Sequence, residues 1–266
     1  MSSALTFIIP VRHQENARDW HLLKCDLAQT VASIAAQQSE AWNAIVVANQ
    51  GADLPTLPSR FSVKWVDFPP NPLHEQGAAA VELFRDAIRL DKGRRILAGM
   101  LHGGQMSHVM IVDDDDLVHR NLAGFVQENP GKPGWYFSHG YIWKDRGKLL
   151  YLYSNFSQLC GTSHIIRSDL YQIPATMADA SDAYVRRMLG SHIMIDGILR
   201  DRGTALEPLP FPGAIYRVGH SGSWSNSKGI FRQFFFPTLR SPLRLLKRTA
   251  RLRLKTKAMQ RNFFGY

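Results

Sequence analysis

The chain has 266 residues, 45% of them hydrophobic and 11% aromatic, enough for one large domain or two small ones around a substantial core. Its only cysteines, Cys25 and Cys160, are far apart, which excludes a disulfide framework and a thiolate metal cluster. The formal charge of +10 is uneven: eleven Lys and Arg and no acid lie from Lys228 onward, while residues 1–227 hold 21 Lys and Arg against all 22 acids.

The first half alternates strand and helix, the pattern of an α/β domain with a largely parallel sheet. Thr6 to Val11 is a short apolar run, too short for a signal sequence or a membrane span, and no basic segment precedes it. A cytoplasmic location is therefore expected. Trp20 to Gln38 carries helical apolar spacing through Leu23, Leu27, Val31 and Ile34, with Asp19 as the cap. Ala44 to Ala48 and Phe61 to Phe68 are the next strands, ended by Asn49-Gln50-Gly51 and by a proline-rich loop. Helical patterning returns over Glu75 to Leu90 and Arg94 to Leu101.

Val109 to Val112 is a fourth strand, apolar throughout as central parallel strands are. It runs directly into Asp113-Asp114-Asp115-Asp116. Ligands of open α/β sheets bind at the carboxyl ends of strands. Residues two apart in an extended segment share a face, so Asp113 and Asp115 can hold a hard cation together with substrate phosphates. The competing reading is that Asp115 or Asp116 caps a helix over Leu117 to Gln127.

Beyond this point Trp135 to Trp143, Leu149 to Tyr153 and Ala214 to Val218 read as strands, and Asp182 to Leu189 and Ile193 to Asp201 as helices. Ser241-Pro242 opens a basic amphipathic helix over Leu243 to Met259. Phe231, Phe234, Phe235, Phe236, Phe263 and Phe264 flank it, a combination suited to an anionic membrane interface. This divides the chain into a catalytic domain over 1–227 and a basic tail over 228–266.

Over roughly its first 220 residues the sequence resembles the glycosyltransferases of the GT-A fold, especially family 2-like members. The matching features are Phe7-Ile8-Ile9-Pro10-Val11-Arg12 as a first nucleotide-binding strand, Lys92-Gly93-Arg94-Arg95 ahead of the acidic strand, and the Asp-X-Asp-like run at 113–116. The resemblance implies a Rossmann-like α/β fold with a mixed, mostly parallel central sheet. It implies transfer of a sugar from a nucleoside diphosphate donor, a UDP-sugar first, to a glycan or lipid-linked acceptor of bacterial-type polysaccharide synthesis, with inversion. Pro10, Arg12, Asn49, Lys92, Arg95, Asp113, Asp114 and His164 would line the donor site, and Asp113, Asp115 and His220 would hold Mn²⁺ or Mg²⁺.

Two departures from the family pattern matter. Asn49-Gln50-Gly51 replaces an acidic turn, leaving amides for the base. Ser191-His192 stands where the family carries Glu-Asp, so His192, or Asp196 one helical turn on, becomes the general base. The tail implies a peripheral position at the inner face of the plasma membrane. A sugar-nucleotide pyrophosphorylase is an alternative, but Arg12-His13-Gln14-Glu15-Asn16 lacks the glycine-rich loop expected after the first strand. A non-catalytic nucleic-acid binder using the tail leaves the acidic cluster unexplained, and no nucleic acid is expected as a partner.

Overall fold

The computed structural model describes residues 3–73, 81–219, 246 and 248–266. Two mixed sheets and their covering helices form an α/β fold. The larger sheet has the order β10-β6-β9-β4-β1-β2-β3. Within it, β1 (Leu5–Pro10), β2 (Trp42–Asn49), β3 (Phe61–Val66) and β4 (His108–Ile111) run parallel. Antiparallel β9 (His164–Arg167) lies between β4 and β6 (Gly134–Tyr136), and β10 (Glu207–Pro208) joins β6 in parallel.

The apolar runs are explained by burial on both faces. Leu5, Phe7 and Ile9 of β1 pack with α1 (Trp20–Ala35) and α3 (Leu122–Glu128). Ile8, pointing the other way, packs with α2 (Val81–Gly103) and α5 (His192–Asp201). The Asp19 carboxylate accepts from the Leu22 N–H, 3.0 Å away, and caps α1 as expected.

Sequence patterning divided α2 into two helices near Lys92-Gly93, yet it runs unbroken over Val81–Gly103. The glycine serves packing: a methyl group there would lie 2.7 Å from both Val185 Cγ1 and Val185 O. The crossing element is α4 (Asp182–Tyr184), which continues as a π-helical turn over Val185–Leu189.

The second sheet has the order β12-β8-β7-β11-β5. Trp135 to Trp143 is not one strand; it divides between β6 and β7 (His139–Lys144), which belong to different sheets. The strands β8 (Leu149–Ser154) and β11 (Ala214–Val218) flank β7, antiparallel and parallel respectively. Leu117–Val118 forms β5, paired with β11, so no helix begins at Leu117 and the capping role for Asp115 or Asp116 is overturned.

The expected single helix over Leu243 to Met259 is also corrected. Residues 243–245 and 247 lie outside the described residues, as do Phe231, Phe234, Phe235 and Phe236. Leu252–Leu254 is strand β12, antiparallel to β8, and Lys257–Phe263 is the helix α6, capped by Thr256. Pairing with an otherwise open sheet edge outweighs helical propensity here. Phe263 and Phe264 are buried against Trp143, Leu150 and Ile215 instead of being presented to a membrane. Among the described residues, no helix is long and apolar enough to cross a membrane.

Candidate active site at the ends of β1 and β4

In the order β3-β2-β1-β4 the chain lays its first strands to one side of β1 and then places β4 on the other. Such a reversal opens a crevice at the strands' carboxyl ends. Pro10 and Arg12 leave β1 there, and the four aspartates follow β4. The resulting cleft, of about 180 Å³, is lined by Pro10, Arg12, Lys92, Arg95, Asp113, Asp114 and Asp115, together with Asn71, Ile88, Asp91 and Tyr216.

The acidic run is a tight turn, with Asp116 N–H donating to Asp113 O at 3.2 Å. The expected extended segment is therefore absent, although the side chains still alternate in exposure. Asp114 and Asp116 are buried; Asp113 and Asp115 are half-buried and line the cleft. Asp116 anchors the turn from within. It accepts from Arg217 N–H at 3.3 Å, from Cys160 Sγ at 3.2 Å and from the Thr162 hydroxyl. Burial, reinforced by the charges of Asp115 and Asp113, pushes its carboxyl well above the usual range. Thr162 Oγ1 also accepts from Asp113 N–H at 2.9 Å, tying the turn to the 160–164 segment.

The carboxylates meet two cations. Arg12 Nη2 lies 3.1 Å from Asp114 Oδ1, and Lys92 Nζ, from the middle of α2, pairs with Asp113 Oδ1. Burial opposes both positive charges, but the facing carboxylates prevail and raise both cation pKa values. Both cations remain charged at neutral pH. Arg95 is held more rigidly: it makes two 3.1 Å bonds to Asp91, donates to Asn49 Oδ1 at 2.5 Å and lies over the Phe68 ring. Asn49 also donates to Phe68 O at 2.6 Å, so this buried amide braces Arg95 behind the cleft wall.

A second, smaller cavity of about 20 Å³ adjoins the first through Lys92, with Gly161, His164, Tyr171, Met188, Ser191 and His192 on its walls. Nε2 of His164 and Nε2 of His192 are both buried without a hydrogen-bond partner. Burial lowers the His164 pKa to about 3, aided by His192, and the His192 pKa to about 4, aided by Lys92. Both rings are neutral at pH 7. Asp196 is not on either wall; its carboxylate faces Arg200 at 3.5 Å. His220 lies outside the described residues.

Sequence reasoning missed Gly161 and Thr162. A methyl group at Gly161 would lie 2.8 Å from Asp113 Oδ2 and 2.9 Å from Lys92 Nζ, so any side chain here would push the ends of the ion pair aside. The available signal was a glycine among small polar residues just ahead of a strand.

For a divalent cation, Asp113 and Asp115 offer two half-buried carboxylates on one wall. Among the described residues, no group of three or more His, Cys, Asp or Glu converges as a metal cage. This donor set fits a hard cation that completes its shell with water and phosphate oxygens, as Mg²⁺ does, better than one held by protein ligands alone.

No protein-family model and no curated protein matches this chain. Among solved structures it is similar to S. aureus TarS 1-349, at 13% identity and a TM-score of 0.43, over 82% of this chain and 60% of that one. It is likewise similar to the TarS 1-349 complex with UDP, at 13% identity and 0.40 over 82% and 61%. The UDP-GlcNAc complex gives 12% and 0.40 over 83% and 59%. The chain spans about three fifths of the length of those structures. At this degree of overlap the likeness carries neither activity nor substrate across.

Proposed function

We propose that the protein is a glycosyltransferase that takes a sugar from a nucleoside diphosphate donor, a UDP-sugar first, and passes it to a hydroxyl of a glycan or lipid-linked acceptor. The observation that carries this reading is one cleft at the reversal point of the sheet, where Lys92 and Arg12 stand beside the half-buried pair Asp113 and Asp115. A diphosphate needs cationic partners, and a bridging divalent ion needs carboxylates. Asp113 and Asp115 would hold Mg²⁺ or Mn²⁺, which supplies Lewis-acid stabilisation of the departing nucleotide when bound.

Lys92 lines both cavities, so its charge can serve the phosphates in the cleft beside the small cavity, which has room for the reacting hydroxyl of an acceptor and not for its body. His192 is the better base on placement: it lines that cavity and is neutral at pH 7, whereas Asp196 faces Arg200. The acceptor oxygen forms a bond to the anomeric carbon, its proton passes to His192, and the bond from that carbon to the diphosphate oxygen breaks. A direct displacement of this kind inverts the sugar.

The test is a thermal-shift screen of UDP-, GDP- and TDP-sugars with and without Mn²⁺. A ligand at a hundred times its Kd adds about 2.7 kcal/mol of stability, which reads as a rise of several degrees. A folded sample that shows no metal-dependent shift with any of them overturns the proposal.

A further inference from the structure

The second sheet carries a surface that the nucleotide chemistry does not use. Strands β7 and β8 and their connecting turn bring Lys144, Arg146 and Lys148 to one end, all exposed. The outer strand β12 joins that end, because Leu254 pairs with Leu149 and Lys255 N–H donates to Lys148 O at 2.9 Å. Arg251 is exposed where β12 begins. Within residues 139–154 and 248–266 the only carboxylate side chain is Asp145. It is committed at short range, 3.6 Å from Arg146 and 3.9 Å from the buried Arg217.

One leucine stands out on this basic surface: Leu254 is 65% exposed. Strand alternation puts Leu254 on the same face as Leu252 and Tyr151, and Lys144 on the face of Ile142. The Leu252, Tyr151 and Ile142 side chains pack together, and Leu254 and Lys144 extend that row outward. An exposed aliphatic side chain among cations that outnumber the one nearby carboxylate gives a surface with affinity for both an acyl boundary and anionic headgroups.

We propose that this face, from the β7–β8 turn to β12, docks the protein on an anionic lipid surface. The contact is made by a folded sheet edge with Leu254 as its apolar point, and Phe263 and Phe264 take no part because they hold α6 in the core. A nucleic acid would find the same cations but would gain nothing from the exposed Leu254. The inference stands independently of the nucleotide site.

The test is flotation of the full-length protein with vesicles of phosphatidylcholine alone or with one third phosphatidylglycerol. Binding is expected only to the anionic vesicles and to weaken as salt rises. Each cation lost should reduce partition about fivefold, so Lys144→Glu with Lys148→Glu should remove most binding. Leu254→Asp should weaken it at every salt concentration. Far-UV circular dichroism and the melting temperature verify that the variants are folded, and Lys132→Glu, elsewhere on the surface, is expected to bind as the parent does. Equal binding to both vesicle types, or parental binding by the folded double variant, overturns the proposal. So does displacement of the protein from anionic vesicles by a single-stranded oligonucleotide at equal phosphate concentration.

Discussion

Lys92 and Asp113 form an ion pair at the junction of the two cavities, and Gly161 is the residue that lets the chain pass beside it. The pair joins the middle of α2 to the acidic turn and puts a cation within reach of whatever carboxylate or phosphate occupies the cleft. Replacing Gly161 by Ala brings a methyl group against the ends of two side chains, not against backbone. The fold should tolerate this within about 1 kcal/mol, while nucleotide affinity falls by about tenfold. Titration calorimetry alongside a urea melt separates the two effects, and an unchanged Kd would count against a functional role for the pair.

Asp115→Ala removes one of the two half-buried carboxylates that the acidic turn presents to the cleft. The metal-dependent part of any nucleotide-induced melting shift should vanish, with Tm in the absence of ligand close to that of the parent. A shift that persists unchanged would make the acidic run structural.

Arg12→Ala strands Asp114, a carboxylate only 4% exposed whose pKa burial already raises against the pull of Arg12. Breaking a buried pair from one side costs about 3 kcal/mol. The double replacement Arg12→Met with Asp114→Leu should recover more than half of that, because no unpaired charge remains. Urea midpoints of the two proteins decide the matter, and equal destabilisation of both would contradict the pairing argument.

The buried histidines should cost the protein stability as pH falls from 6.5 towards 4, against the opposite pull of the raised Asp116 and Asp114 carboxyls. Burial, chiefly, lowers His119 and His192 to about 4 and His164 to about 3 from the ordinary 6.5. Across that window the unfolded chain binds protons that the native protein does not, so each ring contributes up to about 1.4 kcal/mol of lost stability per pH unit. Above pH 6.5 the contribution of each is fully present. His164→Asn should flatten the slope of the urea midpoint against pH. If His192 is the base, the acid limb of the activity profile lies near pH 4; a limb near 6.5 would assign it elsewhere.

Phe264 is buried, with its ring 5.0 Å from Trp143 and 3.8 Å from Lys255 Nζ. Phe264→Ala should cost about 3 to 4 kcal/mol. A tail merely appended to the surface would lose almost nothing in the same equilibrium unfolding measurement.

Local signals carried the larger sheet. The apolar runs of β1, β2 and β4 and the cap at Asp19 follow from neighbouring residues, and the carboxyl end of β4 follows from them. The second sheet depends on distant partners: the two residues of β5 have no periodicity, and β12 is a strand because β8 leaves an edge for it. Charge placement was the least legible part of the site. Arg95 is expected from the sequence at the donor site and Arg217 carries no expectation, yet both are buried. Asn49 accepts from Arg95 and Gln29 from Arg217, each from another element of the fold. The proximity of His164 to His192 likewise arises only when β9 and α5 meet behind Lys92.

The late arrival of β12 and α6 bears on how the chain is made. The partner of β8 begins about a hundred residues further along, and β7 waits for β11 across an intervening stretch of the first sheet. Contacts this distant form slowly. During synthesis the edge of β8 and the Trp143 face stay uncovered until residues 252–264 emerge, so the second sheet is the stage at which a nascent chain is most prone to self-association and most in need of chaperone protection.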